Sequence, residues 1–126
     1  PFEFPYLCTI KIRIELECYK KVDAALIDVK VGTIDGITVT HSINSLDGQN
    51  TFCIDKGIHL FETTINNNLQ PNNYSFTIGV HYSDGTSIDI LENIYDFTVL
   101  TIGESNNPDY KYDWVHGWVN LDSQWE

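Results

Sequence analysis

Methionine is missing from this chain, basic residues are scarce, and no long apolar run occurs. A membrane-spanning helix needs about 18 consecutive apolar residues and none is approached, nor does a signal peptide open the chain. The start at Pro1-Phe2, with no Met, reads as a cut from something longer. Seven Lys and Arg stand against 18 Asp and Glu, a formal net charge of −11. No cationic cluster exists beyond Lys20-Lys21, so phosphate backbones and anionic lipid surfaces are repelled, and nucleic acid and membrane are poor partners. Cys8, Cys18 and Cys53 form an odd set without CxxC spacing. Cys8 and Cys18 share the parity of aliphatic neighbours and read as small buried thiols of a reducing compartment. Catalytic signatures are absent as well: there is no GxSxG, HExxH or GxxxxGK[ST], and His41, His59, His81 and His116 lie far apart without ligand spacing. No cofactor is expected.

What is present is alternation. At 126 residues the chain fits one domain able to bury about two-thirds of its unfolded surface. Between Cys8 and Cys18, apolar Cys8, Ile10, Ile12, Ile14, Leu16 and Cys18 interleave with Thr9, Lys11, Arg13, Glu15 and Glu17, the period-two pattern of a strand with one wet face. Ala25, Ile27, Val29 and Val31 repeat it, and Asp35-Gly36 offers a tight turn into Ile37–Thr40, which predicts a hairpin. Residues 44–56 read as a connecting loop. Strand pattern returns over 58–65, is broken by "NNNLQPNN", and resumes with Tyr74, Phe76, Ile78, Val80 and Tyr82 on one face. Asp84-Gly85 turns the chain into a strand over 86–90, "LENIYD" is expected to form one helical turn, and "DFTVLTI" supplies another strand. After the polar "GESNNPDYK" a last strand is expected over 112–121. No segment holds helical periodicity over three turns. The fold class that follows is an all-β sandwich of two antiparallel sheets with about 7–9 strands.

Carboxylate pairs suited to glycoside hydrolysis could hide among the acidic residues, because that chemistry fixes a distance in space and not in sequence. "DGTSID" and "SLDGQN" carry oxygen donors suited to calcium, but neither has the full loop pattern and both read as ordinary turns. The aromatic end of the chain is the better lead. From Tyr110 the even positions run Tyr110, Tyr112, Trp114, His116 and Trp118. A sugar ring offers C–H groups on its faces and hydroxyls at its edge, so Trp or Tyr can take the face while side-chain oxygens and amides satisfy the rim. The same rings would equally suit a core or a second chain. If Val115, Val119 and Leu121 face the core, then Trp114, His116 and Trp118 face outward and need a cover, a partner subunit or a glycan. Trp125 is expected to pack.

The order of motifs in "GIHLFETTINNNLQPNNYSFTIGVHYSDGTSIDILENIYDFTVL" and "HGWVNLDSQWE" resembles the C-terminal domain of Wzt, the nucleotide-binding subunit of O-antigen ABC transporters. The resemblance rests on Leu69, Pro71, Tyr74, Val80, Ile90 to Ile94, Phe97, Val99, Gly117, Val119, Leu121 and Trp125. It covers about residues 57–126 well and 8–56 loosely. It implies an immunoglobulin-like sandwich that binds finished O-polysaccharide in the cytoplasm, peripheral to the inner membrane, and presents it to the membrane-spanning transporter subunit without catalysis. The ATPase core would lie upstream. A homodimer with exchanged terminal strands is also implied. Two departures stand out: Pro71, Asn72, Asn73 and Tyr74 replace a "PG.Y" turn, with Asn able to accept positive φ, and little sequence precedes Tyr6 to form the family's additional strand.

On this fold the wet partners of core residues are the candidate contacts. With Phe61, Thr63 and Ile65 inward alongside Tyr74, Phe76, Ile78 and Val80, the residues Leu60, Glu62 and Thr64 are expected outward beside Ser75, Thr77, Gly79 and His81, where Gly79 leaves a hollow. Glu62, Thr64, Thr77, His81 and Trp118 are the candidate carbohydrate contacts. Tyr112, Trp114 and Trp118 are the candidate dimer interface. Two other readings remain: a dimerisation or interaction sandwich that meets only protein, and a small glycan-modifying enzyme.

Overall fold

A computed structural model of the chain describes residues 2–45, 50–104, 107–112 and 117–126. Eight strands follow one another: β1 (Phe2–Tyr6), β2 (Thr9–Cys18), β3 (Val22–Thr33), β4 (Thr38–Ile43), β5 (Phe52–Ile54), β6 (Gly57–Asn66), β7 (Asn72–Tyr82) and β8 (Ser87–Gly103). No helix occurs among the described residues. The strands form a six-stranded sheet in the order β1-β8-β7-β3-β4, with β5 also pairing β3, and a two-stranded sheet of β2 and β6. All pairs are antiparallel except β1 with β8, which run parallel. The short segment up to Tyr6 thus forms a strand of its own at the edge of the larger sheet.

The faultless alternation of β2 has its counterpart in β6, and the two pair without a slip from Thr9↔Asn66 to Cys18↔Gly57. Two strands alone are marginal in water and need an apolar face laid against something else. Ile10, Ile14, Phe61 and Ile65 provide that face, packed onto Ala25, Ile27, Val29 and Val31 of β3. Under β7 and β8 the core is aromatic. Phe76 and Phe97 stack at 4.1 Å, Tyr74 also stacks with Phe97 at 5.5 Å, and Phe4 meets Phe97 edge-on at 5.7 Å. Tyr74 is fully enclosed, and its hydroxyl donates to the Gln70 carbonyl at 2.5 Å, four residues upstream, in the manner of a tyrosine corner. Burial pushes the Tyr74 phenol up to about 12.

The Asp35-Gly36 hairpin forms as expected: Gly36 takes φ 94° and donates to Thr33 O, and Thr33 N–H closes the turn on Ile37 O. Asp84-Gly85 also turns as expected, with Thr86 N–H on Asp84 Oδ1 holding that carboxyl below the usual range. Four expectations need correction. Residues 44–56 are not all loop, since Phe52–Ile54 pairs with the start of β3 through Val22↔Ile54 and Ala25↔Phe52. "LENIYD" is no helical turn; it lies inside the 17-residue β8. There Leu91 pairs Ile78 and Tyr95 pairs Phe76, so three residues bulge opposite Thr77. Asn93 absorbs the bulge at φ 49°, its N–H donating to Thr77 Oγ1 and its side chain meeting Ser75 Oγ. Asn72 and Asn73 belong to β7, and neither has positive φ.

The fourth correction concerns the chain's end. Instead of a strand over 112–121, the described part makes a single antiparallel bridge, Leu69↔Val119. Gln70 N–H donates to Trp118 O and Asn120 N–H to Asn68 O. Val119 and Leu121 are exposed and do not enter the core, and Trp125 is 93% exposed instead of packed. One bridge fixes one residue pair; it provides no pleated face for alternate side chains to bury. Val115 and His116 lie outside the described residues.

Candidate functional site

Two outward faces are available, one per sheet, and they look away from each other across the core. Glu62 and Thr64 lie on the outer face of the two-stranded sheet, because their register partners are Arg13 and Lys11. Thr77 and His81 lie on the outer face of the six-stranded sheet, opposite Lys30 and Leu26 of β3. The expected placement of all four side by side is therefore corrected. Parity gave each residue's sense correctly, but β6 and β7 belong to different sheets. Tyr112 and Trp118 are exposed near the third region, the chain's end, and Trp114 lies outside the described residues.

On the two-stranded face Glu62 is already occupied. Its Oε2 accepts from Arg13 Nε at 2.9 Å and its Oε1 lies 3.6 Å from Lys11 Nζ. The Arg13 hydrogen bond, helped by the Lys11 charge, holds its carboxyl below the usual range. Beside this trio Ile58 and Leu60 stand exposed.

The six-stranded face is built differently. Asp28 points outward from β3 yet is only 5% exposed. Its neighbour in register is Gly79, and the space a side chain would take there is filled: a Cβ on Gly79 would come within 2.3 Å of Asp28 Oδ1 and 2.6 Å of His81 Nε2. The hollow expected at Gly79 is thus the seat of a carboxylate and an imidazole, not an open floor. From the other side His41 of β4 reaches the same oxygen, so Asp28 Oδ2 has His41 Nε2 at 2.7 Å and His81 Nε2 at 3.0 Å. Ser87 Oγ lies 3.3 Å from His81 Nδ1. Both imidazoles converge on one oxygen and close the gap between them; among the described residues no group of three or more His, Cys, Asp or Glu is arranged to hold a metal ion.

Next to this cluster runs a polar row. His41, Lys30 and Thr77 are successive register partners across β4, β3 and β7, and the Asn93 bulge of β8 meets Thr77. A groove of about 250 Å³ opens there, lined by Lys30, Thr38, Thr77, Glu92 and Asn93 among others. Of the expected site residues Thr77 and His81 fall on this face. His81 is a supporting residue, with both ring nitrogens engaged. Asp28, Lys30 and His41 were missed: the turn closes with Gly32 opposite Thr38, and it is the bulge between Val31 and Gly32, which the sequence does not announce, that puts His41 opposite Lys30.

The chain's end is pinned through Gln70. Besides the two backbone bonds already given, the Gln70 side-chain oxygen accepts from the Tyr110 hydroxyl at 3.3 Å, and Tyr110 packs edge-on against Tyr6 at 5.2 Å. Beyond that anchor the described tail lies exposed. The family model of the Wzt C-terminal domain matches residues 3–121. This chain belongs to the Wzt C-terminal domain family. A solved structure described as the C-terminal domain of Wzt shares the fold, with a TM-score of 0.78 at 15% identity over 98% of this chain and 72% of that one. No curated protein matches. The Wzt-type fold is thus an immunoglobulin-like β-sandwich in this chain, with a parallel β1 added to the edge of its larger sheet.

Proposed function

We propose that this Wzt C-terminal domain binds O-antigen polysaccharide without catalysis, along the outer face of its six-stranded sheet. The observation that carries the reading is the polar row His41, Lys30, Thr77 and Asn93, of which His41, Lys30 and Asn93 stand exposed. An imidazole, an ammonium, a hydroxyl and an amide supply donors and acceptors in alternation, which is what a chain of sugar hydroxyls requires. Each such bond replaces one to water and contributes about 1 kcal/mol, so a single domain binds modestly. Two domains held together on a transporter gain through effective concentration. In this reading the domain sits in the cytoplasm at the inner membrane, joined to the ATPase part of its parent chain and through it to the membrane-spanning subunit. The test is calorimetric titration of the chain with O-polysaccharide from the organism's own lipopolysaccharide. Lys30→Ala and Thr77→Ala weaken binding if the reading holds; unchanged binding by both removes this face as the site.

A homodimer through the chain's end is the second part of the proposal. Trp118, Leu121 and Trp125 are exposed, and a tail that makes one bridge has main-chain groups left for another strand. Sedimentation of Trp125→Ser against the unaltered chain tests it: a shift to monomer supports the pairing, and an unchanged mass dismisses it. Dimerisation with no glycan response in titration would favour the protein-only reading.

A further inference from the structure

We propose that Asp28 is a positioning residue that fixes the tautomer of His41, and that His41 Nδ1 and the Lys30 ammonium together recognise two adjacent hydroxyls of one sugar ring; this rests on reading the six-stranded face as the glycan surface. A carboxylate oxygen only accepts. With Nε2 of both His41 and His81 at Asp28 Oδ2, a neutral ring at either position carries its proton on Nε2 and keeps a lone pair on Nδ1. On His81 that lone pair accepts from the Ser87 hydroxyl. On His41 no donor among the described residues reaches it. The His41 side chain is 41% exposed against 14% for His81, so His41 is the ring that meets a ligand.

Lys30 stands directly opposite His41 in the sheet register, where facing Cβ atoms are about 4.5–5.5 Å apart and two side chains can reach neighbouring atoms of one molecule. Among the described residues Lys30 makes no ion pair, while Lys11, Arg13 and Lys21 each do. An ammonium only donates. The pair is an acceptor beside a donor, and a vicinal diol is its complement: one hydroxyl gives its proton to His41 Nδ1 and the next accepts from Lys30 Nζ. A residue whose first hydroxyl is methylated, acylated or tied up in a linkage has no proton to give. The ligand class is therefore a glycan with a free vicinal diol. Without Asp28 the imidazole samples the other tautomer, whose Nδ1–H opposes the same hydroxyl.

Long-range ¹H–¹⁵N spectra of the labelled imidazoles, followed by titration with O-polysaccharide from the organism's own lipopolysaccharide, test the proposal. The free chain is expected to show His41 and His81 as Nε2–H tautomers, and Asp28→Asn to lose that signature at His41. His41→Phe takes one partner from buried Asp28, so its fold is first checked by urea unfolding; the folded variant binds about three- to tenfold more weakly, and polysaccharide oxidised with periodate, which cleaves vicinal diols, loses the same contact from the unaltered chain. No binding by the unaltered chain overturns this inference and the reading beneath it. Binding by the unaltered chain that His41→Phe matches overturns this inference alone. A Nδ1–H signature at His41, or displacement of the Nε2 protons by Zn²⁺ alone, overturns the role given to Asp28.

Discussion

The two outward faces of this sandwich handle charge in opposite ways. On the two-stranded sheet Glu62 lies in water with Lys11 and Arg13, an arrangement that costs little to make and little to lose. On the six-stranded sheet Asp28 has been withdrawn from water among two imidazoles and a glycine, so its hydrogen bonds are a condition of folding there. A charge held by solvent constrains nothing around it. A charge held by protein groups orients them, and oriented groups are what a recognition surface is made of.

Four substitutions sharpen that contrast, each read from urea unfolding. The largest effect belongs beneath the six-stranded face: Phe97→Ala removes the centre of the aromatic stack and is expected to destabilise by about 3–5 kcal/mol. Gly79→Ala drives a methyl into Asp28 and His81 and should cost about 1–3 kcal/mol, with the His41 and His81 ring signals shifting together. Tyr74→Phe leaves the Gln70 carbonyl without its hydroxyl partner, for a loss of about 1 kcal/mol. Glu62→Gln on the opposite face should leave the unfolding midpoint unchanged; a clear loss there would erase the distinction between the two faces.

A pH prediction follows from Tyr74. Its phenol ionises near 10 in the unfolded chain and is pushed up to about 12 by burial. Its contribution is fully present below pH 10 and is lost as pH rises towards 12, because the unfolded chain releases the proton first. Unfolding free energy of the unaltered chain should fall across that window, and in Tyr74→Phe it should fall less.

Strand parity was readable wherever residues alternated without interruption. Cys8 to Cys18 shows its inner and outer residues in the sequence, Gly57 to Asn66 does so only from Phe61 to Ile65 because apolar Ile58 and Leu60 stand outward, and Asp35-Gly36 and Asp84-Gly85 announce their turns. What parity does not carry is which strands are neighbours. Glu62 and Thr77 are both outward residues, and only the division into two sheets separates them. The Asp28 cluster was hidden for the same reason: its bonds run diagonally across three strands, and its one local mark, Gly79, reads equally as an empty hollow. The bulge at Asn93 was misread because "LENIYD" mixes apolar and polar residues without period two, which a helical turn and a bulge share. At the chain's end, alternation over 112–121 promised a strand, but alternation selects a face only where a neighbouring strand exists to pair along it.

The most direct test of the account is a chemical-shift map of the ¹⁵N-labelled chain on addition of O-polysaccharide from its own organism. The account predicts perturbations at Lys30, His41, Thr77 and Asn93 with Lys11, Arg13, Glu62 and Thr64 silent. Perturbations confined to the latter set, or none on either sheet, would contradict it.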